Sequence, residues 1–197
     1  MTARKPGRRA FIHARALCES DDVGAGTRVW AFAHVMPGVH VGRDCNIGDH
    51  AFLETGAWVG DRVTIKNAVL IWDQVRIEDD VFVGPNVVFT NDLNPRAAFK
   101  KPASGFLATR VERGATLGAH ASIVCGISIG AHAFVGAGAV VTKSVPAHAI
   151  VVGNPARRSG WMCVCGGRLD ARLRCACGRA HRRQRGAGLL EVAKPRG

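Results

Sequence analysis

Residues 41–65 read Val41-Gly-Arg-Asp-Cys-Asn-Ile47-Gly-Asp-His-Ala-Phe-Leu53-Glu-Thr-Gly-Ala-Trp-Val59-Gly-Asp-Arg-Val-Thr-Ile65, with a branched aliphatic side chain at every sixth place. Toward the N-terminus the same phase holds at Val23, Val29 and Val35, and toward the C-terminus at Ile71, Ile77, Val83 and Phe89. Four residues after each comes a second, usually smaller side chain, as in Thr27, Ala33, Cys45, Ala51 and Ala57, ending at Leu93. The pattern resumes at Val111 and continues through Leu117, Ile123, Ile129, Val135 and Val141, giving eighteen hexapeptides. An amphipathic helix does not explain this period, because six residues at about 100° each rotate the marked side chain around the axis. A coil of short strands does, with the large aliphatic pointing into a central stack and the smaller residue filling the corner beside it. Glycine often follows the aliphatic, as at Gly42, Gly118 and Gly136, where it suits tight backbone conformations that a side chain would obstruct. Each buried aliphatic contributes roughly 1.5–3 kcal/mol, too little for one coil to offset its ordering entropy, so the coils fold only as a stack.

The chain has 197 residues and a net charge of +12, which invites a nucleic-acid reading until the charge is located. Residues 1–15 hold five basic and no acidic side chains, and residues 157–197 hold eleven and two. The stretch between them holds eleven and thirteen, for a net of −2, so the surplus lies in the tails and nucleic acid is not the expected partner of the body. No stretch approaches the roughly 20 apolar residues that cross a bilayer, and the basic start lacks the apolar run of a signal peptide. No membrane partner and a cytoplasmic location are expected. Phe89 and Val111 are 22 residues apart, which is not a multiple of six, so a loop within residues 91–110 must leave the coil. A long insertion in a regular solenoid is commonly functional.

After the last repeat the chain reads Gly153-Asn-Pro-Ala-Arg157. The columns and this ending together resemble the left-handed β-helix acyltransferases of the hexapeptide-repeat family, in which three hexapeptides close one triangular coil. Other segments narrow the likeness: Arg28-Val-Trp-Ala-Phe-Ala-His34, Cys45-Asn-Ile-Gly-Asp-His50, Ile65-Lys-Asn67, Gly84-Pro-Asn-Val-Val-Phe-Thr-Asn-Asp92 and Asn94-Pro-Arg96. With these, residues 11–170 resemble N-acetyltransferases of nucleotide-linked 3-amino sugars. That family includes the enzyme acting on UDP-2-acetamido-3-amino-2,3-dideoxyglucuronate in surface polysaccharide (lipopolysaccharide) synthesis; enzymes acting on dTDP-3-amino-6-deoxyhexoses share most of the motifs. The resemblance implies an all-β fold: a left-handed parallel β-helix of about six coils over residues 11–160. It also implies a homotrimer with sites between subunits, binding acetyl-CoA and a nucleotide sugar.

The implied cofactor-binding residues are Gly118, Gly136, Ala137, Lys143, Asn154, Pro155 and Arg157, with Lys143, Arg157 or Arg158 near the phosphates. Acetyl transfer needs a neutral amine, a destination for its proton and donors toward the developing oxyanion. His34 ends its hexapeptide outside both interior columns, and an imidazole nitrogen can accept a proton, which makes it the candidate base. Similar enzymes place an Asn such as Asn91 beside the amine, and in this family the proton can instead pass to the departing sulfur. Asn67, Asp73, Asn86, Asp92 and Arg96 are the candidate sugar contacts.

Four of the seven cysteines cluster as Cys163-x-Cys165-Gly, nine residues, then Cys175-x-Cys177-Gly. Paired knuckles followed by glycine resemble a small zinc ribbon with a structural Zn2+, although one residue rather than two separates each pair. His181 is a possible substitute ligand. The expected organisation is a basic tail at 1–10, the β-helix, a Cys-rich segment at 161–183 and a basic tail at 184–197. Two other functions fit less of the chain. A zinc hydratase resembling the γ-class carbonic anhydrases needs a closely spaced histidine pair that is missing here. A trimeric scaffold binding RNA through its knuckle and tail leaves Gly153–Arg157 and the loop unused.

Overall fold

The computed structural model describes residues 9–184 and 188–192; the parts of the expected basic tails at 1–8, 185–187 and 193–197 lie outside the described residues. Strands of two residues succeed one another around an axis. Arg28–Val29 lies on a first face, His34–Val35 on a second and His40–Val41 on a third, and Asn46–Ile47 then pairs in parallel with Arg28–Val29. The result is a parallel β-helix with nine, seven and five strands on its three faces. Val29 pairs in turn with Ile47, Ile65, Val83, Leu117, Val135 and Val151, so the sixth-place side chains form one buried column, as the periodicity requires.

Three rungs escape the hexapeptide count. Phe11–Ile12 and Leu17–Cys18 add a partial coil in front, separated from Val23 by a step one residue short. Ala149–Val152 adds a rung behind and takes the antiparallel strand Arg157–Trp161 on its outer edge. Leu93, expected in the second column, is instead 53% exposed, because the chain has already left the coil. The excursion rejoins at Thr109–Val111, slightly earlier than the loop boundary at 110.

The glycines after the aliphatics have a different cause from the one expected. A Cβ at Gly42 would lie 2.5 Å from the carbonyl of Gly60 on the next coil, and one at Gly118 would lie 2.5 Å from Ala137 N. Neither has a positive φ; both are glycine because successive backbones stack there without room for a methyl group. The left-handed backbone falls later in each corner, on Asp44, His50, Asn86, His120 and His132 among others. Asn, Asp and His tolerate that region better than most side chains, and the stacked coils hold them in it.

Beyond Trp161 the two cysteine knuckles lead into a hairpin of Ala180–Gln184 and Gly188–Val192. Residues 188–192, expected in a tail, therefore form a strand; Leu189 is buried and its amide donates to Ala147 O at 3.2 Å. No helix among the described residues is long and apolar enough to cross a membrane.

Because Ile65 is fully buried between Ile47 and Val83, Ile65→Ala removes packing on both sides. It is expected to cost about 2–5 kcal/mol, read as a fall in denaturation midpoint. Stability equal to the parent would mean the column is not the core.

Candidate active site

A coil has three corners, and rungs repeat about every 4.8 Å along the axis. The corner between the second and third faces carries the excursion. Val88–Phe89 ends the second face there, and the neck of the loop is closed by Leu107 N donating to Asn91 O at 2.9 Å. Asn91 follows Phe89 by two places as Asp73 follows Ile71, and Leu70 pairs with Val88, so the two residues occupy equivalent places on adjacent rungs. Inside the loop Asp92 Oδ1 accepts from Lys101 Nζ at 2.5 Å and from Asn94 N at 2.9 Å. The Lys101 ammonium, helped by that amide, holds the Asp92 carboxyl below its usual range. Asp92 thus anchors the loop's fold, while Arg96 is exposed and donates only to Pro95 O, at 3.2 Å.

Asn67 and Asn86 lie at a different corner, between the first and second faces, where Asn86 N donates to Asn67 O at 3.0 Å. Asn86 and Asn91 flank the same strand and share one rung. Going up this corner from Asn86 come Gly118 to His120, then Gly136 to Gly138, then the turn at Gly153 to Ala156. That turn closes over Val140, whose amide donates to Gly153 O at 3.0 Å and whose carbonyl accepts from Ala156 N at 2.8 Å. Small side chains thus leave a strip of accessible backbone above Asn86, ending at the exposed Asn154, Pro155 and Arg157. Lys143 is not part of this strip. It stands at the second-to-third-face corner, two rungs above Asn91 and level with Ala137.

The expected base does not meet the expected nucleophile-orienting residue. His34 projects from the second face, its Nε2 is 2.9 Å from Glu19 Oε2, and its ring meets Phe52 edge-on at 5.4 Å. Three parallel pairings separate its rung from that of Asn91, about 14 Å along the axis. The spacing of repeats marks which residues leave the interior but not how far apart in height they end. His120, which is not among the expected site residues, is exposed one rung above Asn86, where the Asn67–Asn86 corner meets the small-residue strip. Its signal was a histidine at a corner place that is Asn86 one coil earlier.

The outer side of the second face is the least polar of the three, with Leu17, His34, Phe52, Leu70, Val88, Ser122 and Val140 in register. It lies between the two corners just described. The third face instead carries His40 stacked on Trp58 at 5.0 Å and the Arg76 guanidinium 3.7 Å from the same indole.

Away from these corners, His132, His148 and the hairpin enclose a cavity of about 460 Å³, also lined by Glu112, Leu189 and Glu191. Burial pushes the His132 and His148 imidazoles below their usual range. His148 Nδ1 is 2.8 Å from Met162 O, and His181 packs against the His148 ring at 4.8 Å. The four clustered cysteines bring their sulfurs within 4.8 Å of one another, without His181.

Two family models match the chain: bacterial transferase hexapeptide (six repeats) over residues 22–55, and hexapeptide repeat of succinyl-transferase over residues 108–143. Over 175 residues the chain is 45% identical to dTDP-3-amino-3,6-dideoxy-alpha-D-galactopyranose 3-N-acetyltransferase of Aneurinibacillus thermoaerophilus, covering 87% of this chain and 90% of that protein. Two solved structures share the fold. A mutant GDP-perosamine N-acetyltransferase from Caulobacter crescentus, in complex with CoA and GDP-perosamine, aligns with a TM-score of 0.52 at 24% identity, over 78% of this chain and 58% of that one. The acetyltransferase domain of PglB from Neisseria gonorrhoeae, in complex with acetyl coenzyme A, aligns with a TM-score of 0.53 at 20% identity, over 77% of this chain and 58% of that one. The chain thus spans a little over half the length of those two structures.

Proposed function

The chain belongs to the hexapeptide-repeat N-acetyltransferases of nucleotide-linked amino sugars, and from that premise we propose that it moves acetyl from acetyl-CoA to the 3-amino group of a dTDP-linked 3-amino-6-deoxyhexose. The observation that carries the choice of sugar is the 45% identity, over 90% of its length, to an enzyme named for a dTDP-3-amino-3,6-dideoxyhexose. A second reading keeps UDP-2-acetamido-3-amino-2,3-dideoxyglucuronate, favoured by the exposed Arg96 guanidinium in the loop, which is free to meet a sugar carboxylate.

The working unit is a homotrimer joined through the apolar second face. Three triangular coils turned inward about an axis parallel to their own bring the first-to-second-face corner of each against the second-to-third-face corner of the next, at equal height. Asn91 and Asp73 of one subunit then face Asn86 and Asn67 of its neighbour. Above them runs a channel between the small-residue strip on one side and Lys143 on the other. Acetyl-CoA lies along that channel with its phosphates toward Lys143 and Arg157, and its thioester comes down past His120 to the level of Asn91.

In this arrangement the Asn91 side-chain carbonyl accepts a hydrogen bond from the sugar amine and aims its lone pair at the thioester carbon. As the C–N bond forms and the C–S bond breaks, the amine proton passes to the departing sulfur, giving the amide and free CoA thiol. His34 plays no part, because rotation about such an axis preserves its three-rung offset. Its place is in the subunit interface.

Incubation with acetyl-CoA and a panel of dTDP- and UDP-linked 3-amino sugars is expected to release thiol fastest with a dTDP-linked 3-amino-6-deoxyhexose. Faster turnover of the UDP-linked glucuronate would select the second reading. Silence across the whole panel would remove both.

A further inference from the structure

Cys163, Cys165, Cys175 and Cys177 lie far from the acetyl-transfer corners, on the segment that follows the last strand of the first face. Their thiols are free, and the sulfurs stand 3.7 Å apart for Cys163–Cys177 and 3.5 Å for Cys165–Cys175. A disulfide would need about 2.05 Å. Four thiolates around one Zn2+ at about 2.3 Å lie about 3.8 Å from each other, the edge of a regular tetrahedron. The observed separations match the second geometry.

The backbone around the sulfurs repeats itself. In the first knuckle Gly166 N donates to Cys163 O and Cys163 N to Gly167 O; in the second Gly178 N donates to Cys175 O and Cys175 N to Arg179 O. Each turn has a left-handed glycine, Gly166 at φ 83° and Gly178 at φ 87°. A Cβ on Gly167 would stand 2.8 Å from Cys175 Sγ, so the chain crosses the cluster where only glycine fits. Four thiolates and one Zn2+ carry a net charge of −2, and a cation meets them: Arg179 Nη1 is 3.4 Å from Cys177 Sγ. Such outer groups stabilise a thiolate site.

We infer that these four cysteines hold one structural Zn2+, and that the metal acts as the buckle of a strap locking the end of the β-helix. The strap begins at Arg157–Trp161, which covers the edge of the last first-face rung. It passes through the two knuckles and returns as the hairpin, where Leu189 is buried and Gly188 bridges to Ala147. Residues 162–179 include no strand longer than an isolated bridge; apart from the knuckle turns they are tied to the two anchored ends by single contacts, such as Leu169 N to Trp161 O, Arg168 to Ser159 O and His181 N to Leu173 O, and the metal would join the two knuckles directly. A complete set of four protein ligands leaves no open position, so the ion supports structure rather than chemistry. His181 stands outside the sulfur cluster; it lies on the first hairpin strand and packs on His148.

The test is independent of acetyl transfer. Full-length protein purified without chelator is expected to carry one zinc per chain by plasma mass spectrometry, and to take Co2+ in its place with a tetrathiolate visible spectrum. Limited trypsin digestion is expected to spare the zinc-loaded protein. After chelation it should cut at the arginines between 168 and 183, leaving the β-helix whole. Cys165→Ser/Cys177→Ser, which changes only the two exposed sulfurs, is expected to lose the metal and show the chelated digestion pattern while keeping the β-helix circular dichroism. The proposal is overturned if the protein retains no zinc, if it carries iron instead, if mass spectrometry finds Cys163–Cys177 or Cys165–Cys175 oxidised, or if digestion is the same with and without metal.

Discussion

Asn91→Ala is expected to lower kcat about 100-fold or more, the scale on which a misaligned reacting pair loses rate, with little change in KM for acetyl-CoA. In the proposed arrangement the substitution removes the carbonyl that orients the amine, and it leaves the loop neck intact, because Leu107 donates to the Asn91 backbone and not to its side chain. The Asp92–Lys101 pair that shapes the loop is also untouched. Sedimentation and melting temperature should therefore match the parent, which separates a chemical loss from a structural one. Asn86→Ala, at the residue proposed to face the sugar from the neighbouring subunit, is expected to act mainly on KM for the nucleotide sugar. Full turnover in the Asn91 variant would remove this residue from the reaction.

Leu70→Asp is expected to break the trimer and abolish activity together. Leu70 is half-buried at the middle of the apolar second face, between Phe52 and Val88 in register. Seating an unpaired carboxylate there costs several kcal/mol once the partner subunits exclude water, whereas an isolated subunit leaves it solvated. The β-helix should survive, since the interior neighbour Ile71 is unchanged and fully buried. Light scattering with chromatography would report a subunit of one-third mass with unchanged circular dichroism. A variant that stays trimeric and active would disprove the choice of face. A monomer with full activity would instead leave the face correct and disprove a site shared between subunits.

The β-helix was readable in residues 41–65 because its stability comes from a one-dimensional column, in which a side chain at every sixth place stays in phase with its copies; that three hexapeptides close one coil, and the hand of the winding, came from the family resemblance and not from the period. The loop was readable for the same reason, as the single place where the count fails. Resemblance to the family pointed to Asn91 and to the Gly153–Arg157 turn, and the paired cysteines stood out by their own spacing.

Height and corner were another matter. The period places Asn86 and Asn91 in different repeats and gives no sign that they share a rung, and it offered His34 as a base without showing that it lies three rungs from Asn91. Repeats constrain distance along the chain, while a site needs distance in space, and that depends on which rung and which of three corners each repeat reaches. The glycines make the same point in reverse. Their occurrence was plain in the sequence, but the reason for it, a backbone 2.5 Å beyond the missing Cβ, belongs to the next coil and exists only once the coils are stacked. The hairpin strand Gly188–Val192 was hidden too, because its burial of Leu189 rests on contacts with Ala147, some forty residues back, that no local period encodes.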